Sequence, residues 1–160
     1  MLGVSATGAP AAVVLRDCTR PPTHAHIVVT ELATMDLYWA LSFQNRCTSF
    51  SESLARFFFR QLLCAIEFLH SCGLYHLDIK VENILIFNCD GQFSLRLTDF
   101  GRMVRTGSAV PVVRCKEDYE PPERCHATSA SVLDGEKVDI WQTAVVLLYM
   151  LAASEHKIWR

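Results

Sequence analysis

The run from Ala144 to Ala153 is hydrophobic at every position, and this feature most constrains how the chain can fold. It ends the stretch KVDIWQTAVVLLYMLAAS, which predicts a helix over 139–153. A helix that is apolar nearly all round is stable only when it is buried. The run is too short to cross a bilayer, which needs about 20 apolar residues. Other parts of the chain must therefore surround this helix.

The composition indicates a globular chain of about one domain. It has 160 residues, of which 51% are hydrophobic and 20% charged, whereas disordered chains are poorer in hydrophobic residues. The net charge of −2 provides no general attraction to nucleic acid or to an acidic membrane. We therefore expect neither of these among its partners.

Seven cysteines are scattered without a C-x-x-C pair, which favours a reducing compartment, in the cytoplasm or nucleus, over a disulfide framework. Cys115, Cys125 and His126 match no zinc-ligand spacing, so we expect ordinary thiols there. The segment 1–25 begins with small and apolar residues and lacks the charged start that is typical of a signal peptide. It predicts a loosely ordered lead and not a signal peptide.

Local patterns predict a strand and two helices after this lead. The β-branched stretch HIVVTEL (26–32) predicts a buried strand, and MDLYWALSF (35–43) predicts a short helix capped by Asp36. Apolar residues then recur in steps of four, four, three and four, which predicts an amphipathic helix over 51–71. The residues on its apolar face are Leu54, Phe58, Leu62, Ala65 and Leu69.

The ends of the helix over 51–71 carry capping signals. Ser49 or Ser51 can cap its start, and Ser49 with Glu52 fits a capping box. Gly73 suits the position just beyond its end. Further on, the segments NILIF and SLRLT flank Asp90-Gly91, which predicts a β-hairpin. No period is visible over 102–122, which predicts a long loop of functional or mobile character.

The stretch YHLDIKVENILI (75–86) places Asp78, Lys80, Glu82 and Asn83 between apolar residues. Charges in such surroundings need partners if they are buried, so they often serve chemistry. The alternative is a turn between two strands with a solvated polar tip. The twelve residues alone leave both interpretations open.

The order of three motifs along the chain favours the chemical interpretation of this stretch over the solvated turn. HLDIKVEN, DFG and PPE follow one another at residues 76–83, 99–101 and 121–123. They resemble the H-R-D-x-x-x-x-N, D-F-G and A-P-E motifs of eukaryotic-type protein kinases. The resemblance covers about 26–160 and implies an α+β fold: a kinase-like C-lobe, mainly helical, whose small hairpin carries the catalytic loop and D-F-G. Within this family, the sequence is slightly similar to the SH3-binding-domain kinases.

The resemblance also implies site residues for serine/threonine kinase chemistry with ATP, Mg²⁺ and a protein substrate. Asp78 would orient the substrate hydroxyl, and Lys80 would lie against the transferred phosphate. Asn83 and Asp99 would hold Mg²⁺. His76 and Phe100 would support the loop, although both are equally explained as core residues. The residues expected to bind the nucleotide are Thr30, Glu31, Ala33, Asp36 and Leu85.

The chain departs from the kinase pattern at four places. Leu77 replaces the arginine that usually pairs with an activation-loop phosphate, so the phosphate switch loses its receiver. Gln142 and Ala144 replace the serine and glycine of D-x-W-S-x-G, whereas Asp139 is retained and would anchor the catalytic loop. In the kinase pattern the glutamate at the position of Glu123 pairs with an arginine much further along the chain, whereas this sequence ends at Arg160. No glycine-rich loop or V-A-I-K lysine is present.

These departures leave two functional interpretations. The first is the catalytic-lobe portion of a truncated serine/threonine kinase, with weak or no activity as this short chain. The second is a non-catalytic, pseudokinase-like module that docks on partner proteins through the hydrophobic face that a small lobe would otherwise cover.

Overall fold

The computed structural model describes residues 15–19, 27–42, 49–110, 116–125 and 133–152. Within these ranges the chain forms helices and short antiparallel strands, with three turns of 3₁₀ helix. The helices are α1 (Leu37–Ser42), α2 (Glu52–Ser71), α3 (Pro122–Cys125) and α4 (Gly135–Leu151). The strands are β1 (Leu15–Thr19), β2 (Ile27–Thr30), β3 (Met35–Asp36), β4 (Leu74–Tyr75), β5 (Ile84–Cys89), β6 (Gln92–Leu97) and β7 (Val104–Arg105). This mixture confirms the expected α+β class.

The predicted helix over 139–153 is α4, which begins four residues earlier than expected. It is buried on one side only: Val138, Val145 and Met150 are buried, whereas Ile140, Leu148 and Leu151 are exposed, so the expected burial nearly all round is not observed. Asp134 caps its start, because the carboxylate accepts hydrogen bonds from the backbone N–H groups of Glu136 (3.1 Å) and Lys137 (3.4 Å). The helix packs against α2, β4 and the 3₁₀ turn at Glu117–Tyr119. The last predicted residue, Ala153, lies outside the described residues.

The amphipathic helix is α2, and Ser51 is the cap that the structure uses, with Oγ accepting from the Leu54 N–H at 3.3 Å. Four of the five predicted face residues are buried; Leu54 is exposed, and the adjacent Ala55 is buried instead. The helix ends as predicted, since Gly73 follows with φ 70°. The prediction of this helix is therefore confirmed.

The predicted hairpin is formed by β5 and β6, paired in register from Ile84↔Leu97 to Cys89↔Gln92. Asp90 and Gly91 have φ values of 51° and 83°, as a two-residue hairpin turn requires. Strand β3 pairs with the other edge of β5 and completes a three-stranded sheet. The α1 helix follows β3 directly, and the Asp36 carboxylate accepts from the Trp39 N–H at 2.6 Å, as predicted.

Two further expectations need correction. The 1–25 segment was expected to be loosely ordered, but Leu15–Thr19 forms β1 and pairs with β2; the rest of that segment lies outside the described residues. The second strand was expected to be buried over 26–32; it spans Ile27–Thr30, and Val29 is 47% exposed. Among the described residues β1 and β2 form a two-stranded sheet, and Val29 on it is about half exposed.

The region expected to be a long loop over 102–122 is more ordered where it is described. Val104–Arg105 pairs with β4, and a 3₁₀ turn forms at Glu117–Tyr119, while 111–115 lie outside the described residues. The main core joins α1, α2, α4 and the hairpin. A second, smaller cluster consists of Leu77, Val110, Leu133 and Val138. In the described part of the chain, no helix is both long and apolar enough to cross a membrane.

Candidate active site

The loop over 76–83, called here the catalytic loop, is anchored by a carboxylate from α4. Asp139 is fully buried and accepts hydrogen bonds from the backbone N–H groups of His76 (2.8 Å) and Leu77 (2.7 Å). The His70 ring contacts the same carboxylate at 2.9 Å. Three donors offset the cost of burying this charge. The anchoring expected of Asp139 is therefore present.

Leu77 has a left-handed backbone, with φ 64°, which is rare for a residue with a side chain. The Asp139 bonds on its own N–H and on that of His76 hold this conformation. Its side chain is buried in the second cluster, with Val110, Leu133 and Val138. Apolar packing thus occupies the position where the kinase pattern has a cation.

The Asp78 carboxylate lies at the centre of a cluster of polar side chains and is nearly inaccessible to solvent. Oδ2 accepts from Lys80 Nζ at 2.8 Å and from Asn83 Nδ2 at 3.1 Å. Asn83 Nδ2 also donates to the Asp78 carbonyl at 2.8 Å. On the other side, Arg102 Nη1 lies 3.6 Å from Oδ1. The structure therefore brings three of the predicted residues together and adds one cation that the sequence reasoning did not identify.

The base of the hairpin brings Asn83 and Asp99 close together. Asn83 directly precedes β5, Asp99 is the second residue after β6, and the intervening Thr98 donates its N–H to the Asn83 carbonyl at 3.0 Å. Asp99 is exposed, has φ 63°, and its Oδ1 accepts from the Gly101 N–H at 3.4 Å. Because the Asn83 amide nitrogen bonds to Asp78, its amide oxygen is left for another ligand.

The donor chemistry at this position fits Mg²⁺, which prefers carboxylate and amide oxygens and completes its shell with water and phosphate. Among the described residues, no three His, Cys, Asp or Glu side chains form a metal-binding group. A cation at Asn83 and Asp99 would therefore depend on these two oxygens together with ligands from outside the described residues.

His76 connects the catalytic loop to the end of β6. Nε2 lies 3.1 Å from the Thr98 carbonyl, which can only accept, so Nε2 carries the proton and Nδ1 accepts from the Asp78 N–H at 3.3 Å. The Phe100 ring packs edge-on against it at 5.3 Å. Burial lowers the pKa of His76, although the Asp139 carboxylate acts in the opposite direction. The ring is therefore a neutral spacer at physiological pH.

The residues predicted to bind a nucleotide lie on and around β3. Asp36 is the direct neighbour of Leu85 across the β3–β5 pair, and the Thr34 N–H donates to the Ile86 carbonyl at 2.9 Å. Glu31 forms an ion pair with Arg96 of β6. Of the other two predicted residues, Thr30 is the last residue of β2 and Ala33 lies on the connection between β2 and β3. The structure thus attaches this connection to the hairpin, while the roles of the five residues remain predictions.

Three side chains at the site were not predicted. Tyr119 Oη accepts from the Val81 N–H at 3.3 Å, and burial raises the pKa of this tyrosine well above its usual value. Gln142 Oε1 accepts from the Ile79 N–H at 2.9 Å. Arg102 was not singled out, although its position directly after D-F-G was a signal. Gln142 was noted only as a departure from the motif.

A helical lobe whose buried helix anchors an H-x-D loop, followed by a hairpin and a D-F-G turn, defines the class as protein-kinase-like, as the resemblance implied. The family described as "Protein kinase domain" matches residues 4–158. The chain therefore belongs to the protein kinase domain family. The match begins within the 1–25 segment, and the division at residue 25 stays a prediction.

Named relatives agree with this family. The chain is 31% identical to serine/threonine-protein kinase SRK2J of Arabidopsis thaliana, over 91% of this chain and 41% of that protein. It is 36% identical to CBL-interacting protein kinase 29 of Oryza sativa subsp. japonica, over 87% of this chain and 29% of that protein. The crystal structure of the yeast RNA Pol II CTD kinase CTDK-1 complex is similar, with a TM-score of 0.73 and 27% identity over 88% of this chain and 44% of that one. The chain thus spans less than half the length of these proteins.

Proposed function

We propose that this chain carries the catalytic loop of a serine/threonine protein kinase, which transfers the γ-phosphate of ATP to serine or threonine hydroxyls of a protein substrate. The observation that carries the proposal is the Asp78 carboxylate, held by Lys80 Nζ at 2.8 Å and by Asn83 on a loop anchored to α4. Phosphoryl transfer depends mainly on positioning and charge neutralisation, and this cluster offers both.

Each polar side chain of the cluster has a role in the proposal. Asp78 accepts a hydrogen bond from the substrate hydroxyl and orients its oxygen towards the phosphate. Lys80 pairs with the Asp78 carboxylate and provides positive charge beside the transferred group. Asn83 and Asp99 hold Mg²⁺, which when bound neutralises charge on the phosphates. The positioning of Asp78 by Asn83 links the metal site to the acceptor site.

The nucleotide base and ribose are assigned to the connection between β2 and β3. Backbone groups over 31–33 would bond to adenine, Thr30 would border the pocket behind it, and Asp36 would bind the ribose. Leu85 would contact the base from β5. The pairing of Asp36 with Leu85 supports this assignment, because it brings a carboxylate and an apolar surface to the same position.

Asp78→Asn tests the proposal by removing the acceptor charge while keeping the size of the side chain. Phosphate transfer from Mg²⁺-ATP to a generic basic protein is expected to fall by at least about 1,000-fold, or about 4 kcal/mol in the barrier. Asp90→Asn is the matched control, since Asp90 lies in the exposed hairpin turn, where Asn is equally tolerated. Transfer that survives Asp78→Asn would remove the mechanism.

The second candidate is a non-catalytic module that docks on a partner protein. It is favoured by the exposed apolar side chains Ile140, Leu148 and Leu151 on one side of α4. Thermal melting with and without Mg²⁺-ATP separates the candidates, because a bound nucleotide raises the melting temperature. A rise that Asp99→Asn abolishes supports the kinase; the docking module predicts no rise and no turnover.

A further inference from the structure

Five of the eight backbone N–H groups of the catalytic loop donate to side chains, and that of Asn83 donates to the Lys80 carbonyl. This is unusual, because most buried backbone donors in proteins bond to other backbone groups. The donor and acceptor pairs are His76 and Leu77 with Asp139, Asp78 with His76 Nδ1, Ile79 with Gln142, and Val81 with Tyr119. The path of this loop is therefore set by a few particular acceptors.

Gln142 binds the backbone of Ile79, the residue between Asp78 and Lys80, which have proposed catalytic roles. Ile79 lies between Asp78 and Lys80 in the chain, and its N–H donates to Gln142 Oε1 at 2.9 Å. Gln142 itself is 0% exposed. It lies three positions after Asp139 on α4, so the two side chains emerge from the same face of the helix. One helix face thus carries the acceptors for three loop amides.

The length of the glutamine side chain matters for this contact. Position 142 corresponds to the serine of D-x-W-S-x-G, and a serine hydroxyl ends much closer to the backbone than Oε1 does. The Gln142 Nε2 atom is buried and has no hydrogen-bond partner among the described residues. Burying an unpaired amide nitrogen is unfavourable. The amide is therefore better explained by the bond of its oxygen to Ile79 than by packing.

We infer that Gln142 is a positioning residue that fixes the peptide between Asp78 and Lys80 and so orients the Asp78 carboxylate. The inference rests on the proposed function for its catalytic consequence, but the contact with Ile79 does not depend on that function. No step of the chemistry is assigned to Gln142, which acts only through the loop.

Gln142→Met tests the contact, because it removes the acceptor and nearly conserves the volume. Hydrogen exchange of the Ile79 amide, followed by NMR without nucleotide, is expected to become about 10-fold faster, while amides in the middle of α2 keep their protection. Thr143→Val is the matched control: Thr143 is also buried on α4, but its hydroxyl bonds to the Asp139 carbonyl of its own helix. It should leave Ile79 unchanged.

Gln142→Glu keeps an oxygen acceptor at the same reach and should retain the protection of Ile79. If Gln142→Met does not fold, the Gln142→Glu variant provides the test. Fast hydrogen exchange of the Ile79 amide in a folded Gln142→Glu protein would overturn the inference. Unchanged exchange in a folded Gln142→Met protein overturns it as well. Neither result depends on nucleotide binding, so a failure of the proposed function is seen separately.

The kinetic consequence is a second readout. Where phosphate transfer is measured, Gln142→Met should lower kcat about 10-fold and leave the KM for ATP within about twofold, because the contact orients Asp78 and not the nucleotide. Gln142→Glu should restore kcat. A change in KM with kcat retained would contradict the positioning role.

Discussion

Leu77 combines two properties that rarely occur in one residue, a left-handed backbone and a buried apolar side chain. The backbone geometry is held by Asp139, and the side chain packs against Val110 and Leu133. Val110 lies beyond the D-F-G turn, so this residue connects the catalytic loop to that segment without a charge. A phosphate on the segment would have no cation at position 77 to bind.

Restoring the arginine at this position is therefore expected to harm the protein. Leu77→Arg must bury a guanidinium in an apolar cluster or open the cluster, and we expect it to lower the free energy of unfolding by about 3 kcal/mol. Leu77→Met keeps the packing and should cost less than about 1.5 kcal/mol. Urea unfolding followed by circular dichroism measures both. An arginine variant as stable as the methionine variant would refute the apolar connection.

His76 makes stability depend on pH, with a sign that follows from its burial. Its folded-state pKa is lowered, so below about pH 6.5 the unfolded chain binds a proton at this residue that the folded chain does not. The contribution of His76 to the free energy of unfolding is therefore complete above that pH and is lost as the pH falls towards the folded-state pKa. This residue can lower the free energy of unfolding by at most about 1.4 kcal/mol per pH unit. His76→Gln should flatten the decline measured without metal between about pH 5 and 6.5. Equal slopes for the two proteins would contradict it.

At the scale of elements, the start of α4 packs unusually closely on β4. A Cβ atom placed on Gly135 would lie 2.3 Å from Tyr75 Cδ2, which no real contact allows. Tyr75 also packs edge-on against His70 of α2, at 5.5 Å between ring centroids. Position 135 must therefore be glycine, because the Tyr75 ring occupies the space of a side chain. This contact sets the distance between α4 and β4, the strand that leads into the catalytic loop.

Gly135→Ala is expected to lower the free energy of unfolding by about 1–3 kcal/mol, because the ring must move away from a position that α2 also determines. In a Tyr75→Ala background the same change should cost much less, since the clash is gone. Lys137→Ala, on the exposed side of the same first turn, is the control. Additive effects of Gly135→Ala and Tyr75→Ala in denaturant unfolding would exclude the steric explanation.

At the scale of the whole molecule, a single main core connects α2, α4 and the hairpin, so the described part should unfold cooperatively. Adjacent leucines on α2 provide the test: Leu62 is 0% exposed and Leu63 is 41% exposed. Leu62→Ala should cost about 2–5 kcal/mol and Leu63→Ala less than about 1 kcal/mol. Circular dichroism and tryptophan fluorescence should report the same midpoint. Separate midpoints would indicate that α2 and α4 belong to independent units.

Much of the fold was predictable because the elements are specified by neighbouring residues. The face of α2 follows from a period of about 3.6 residues, the hairpin from Asp90-Gly91, and the α4 helix from its uninterrupted apolar run, although only one side of α4 is buried. Strand β1 was missed, since a short strand outside a strong local pattern is defined by the partner with which it pairs.

The sequence by itself determined α1, α2, α4, the hairpin and the motif order that led to the kinase family, because each depends on residues close together in the chain; the short helix α3 was not predicted. Only the tertiary structure decided that Gln142 meets Ile79, that Arg102 approaches Asp78, and that Leu77 packs with Val110. Such contacts need the directions of side chains on separate elements. No pattern within a single segment encodes those directions, since they arise only when the elements pack on a common core.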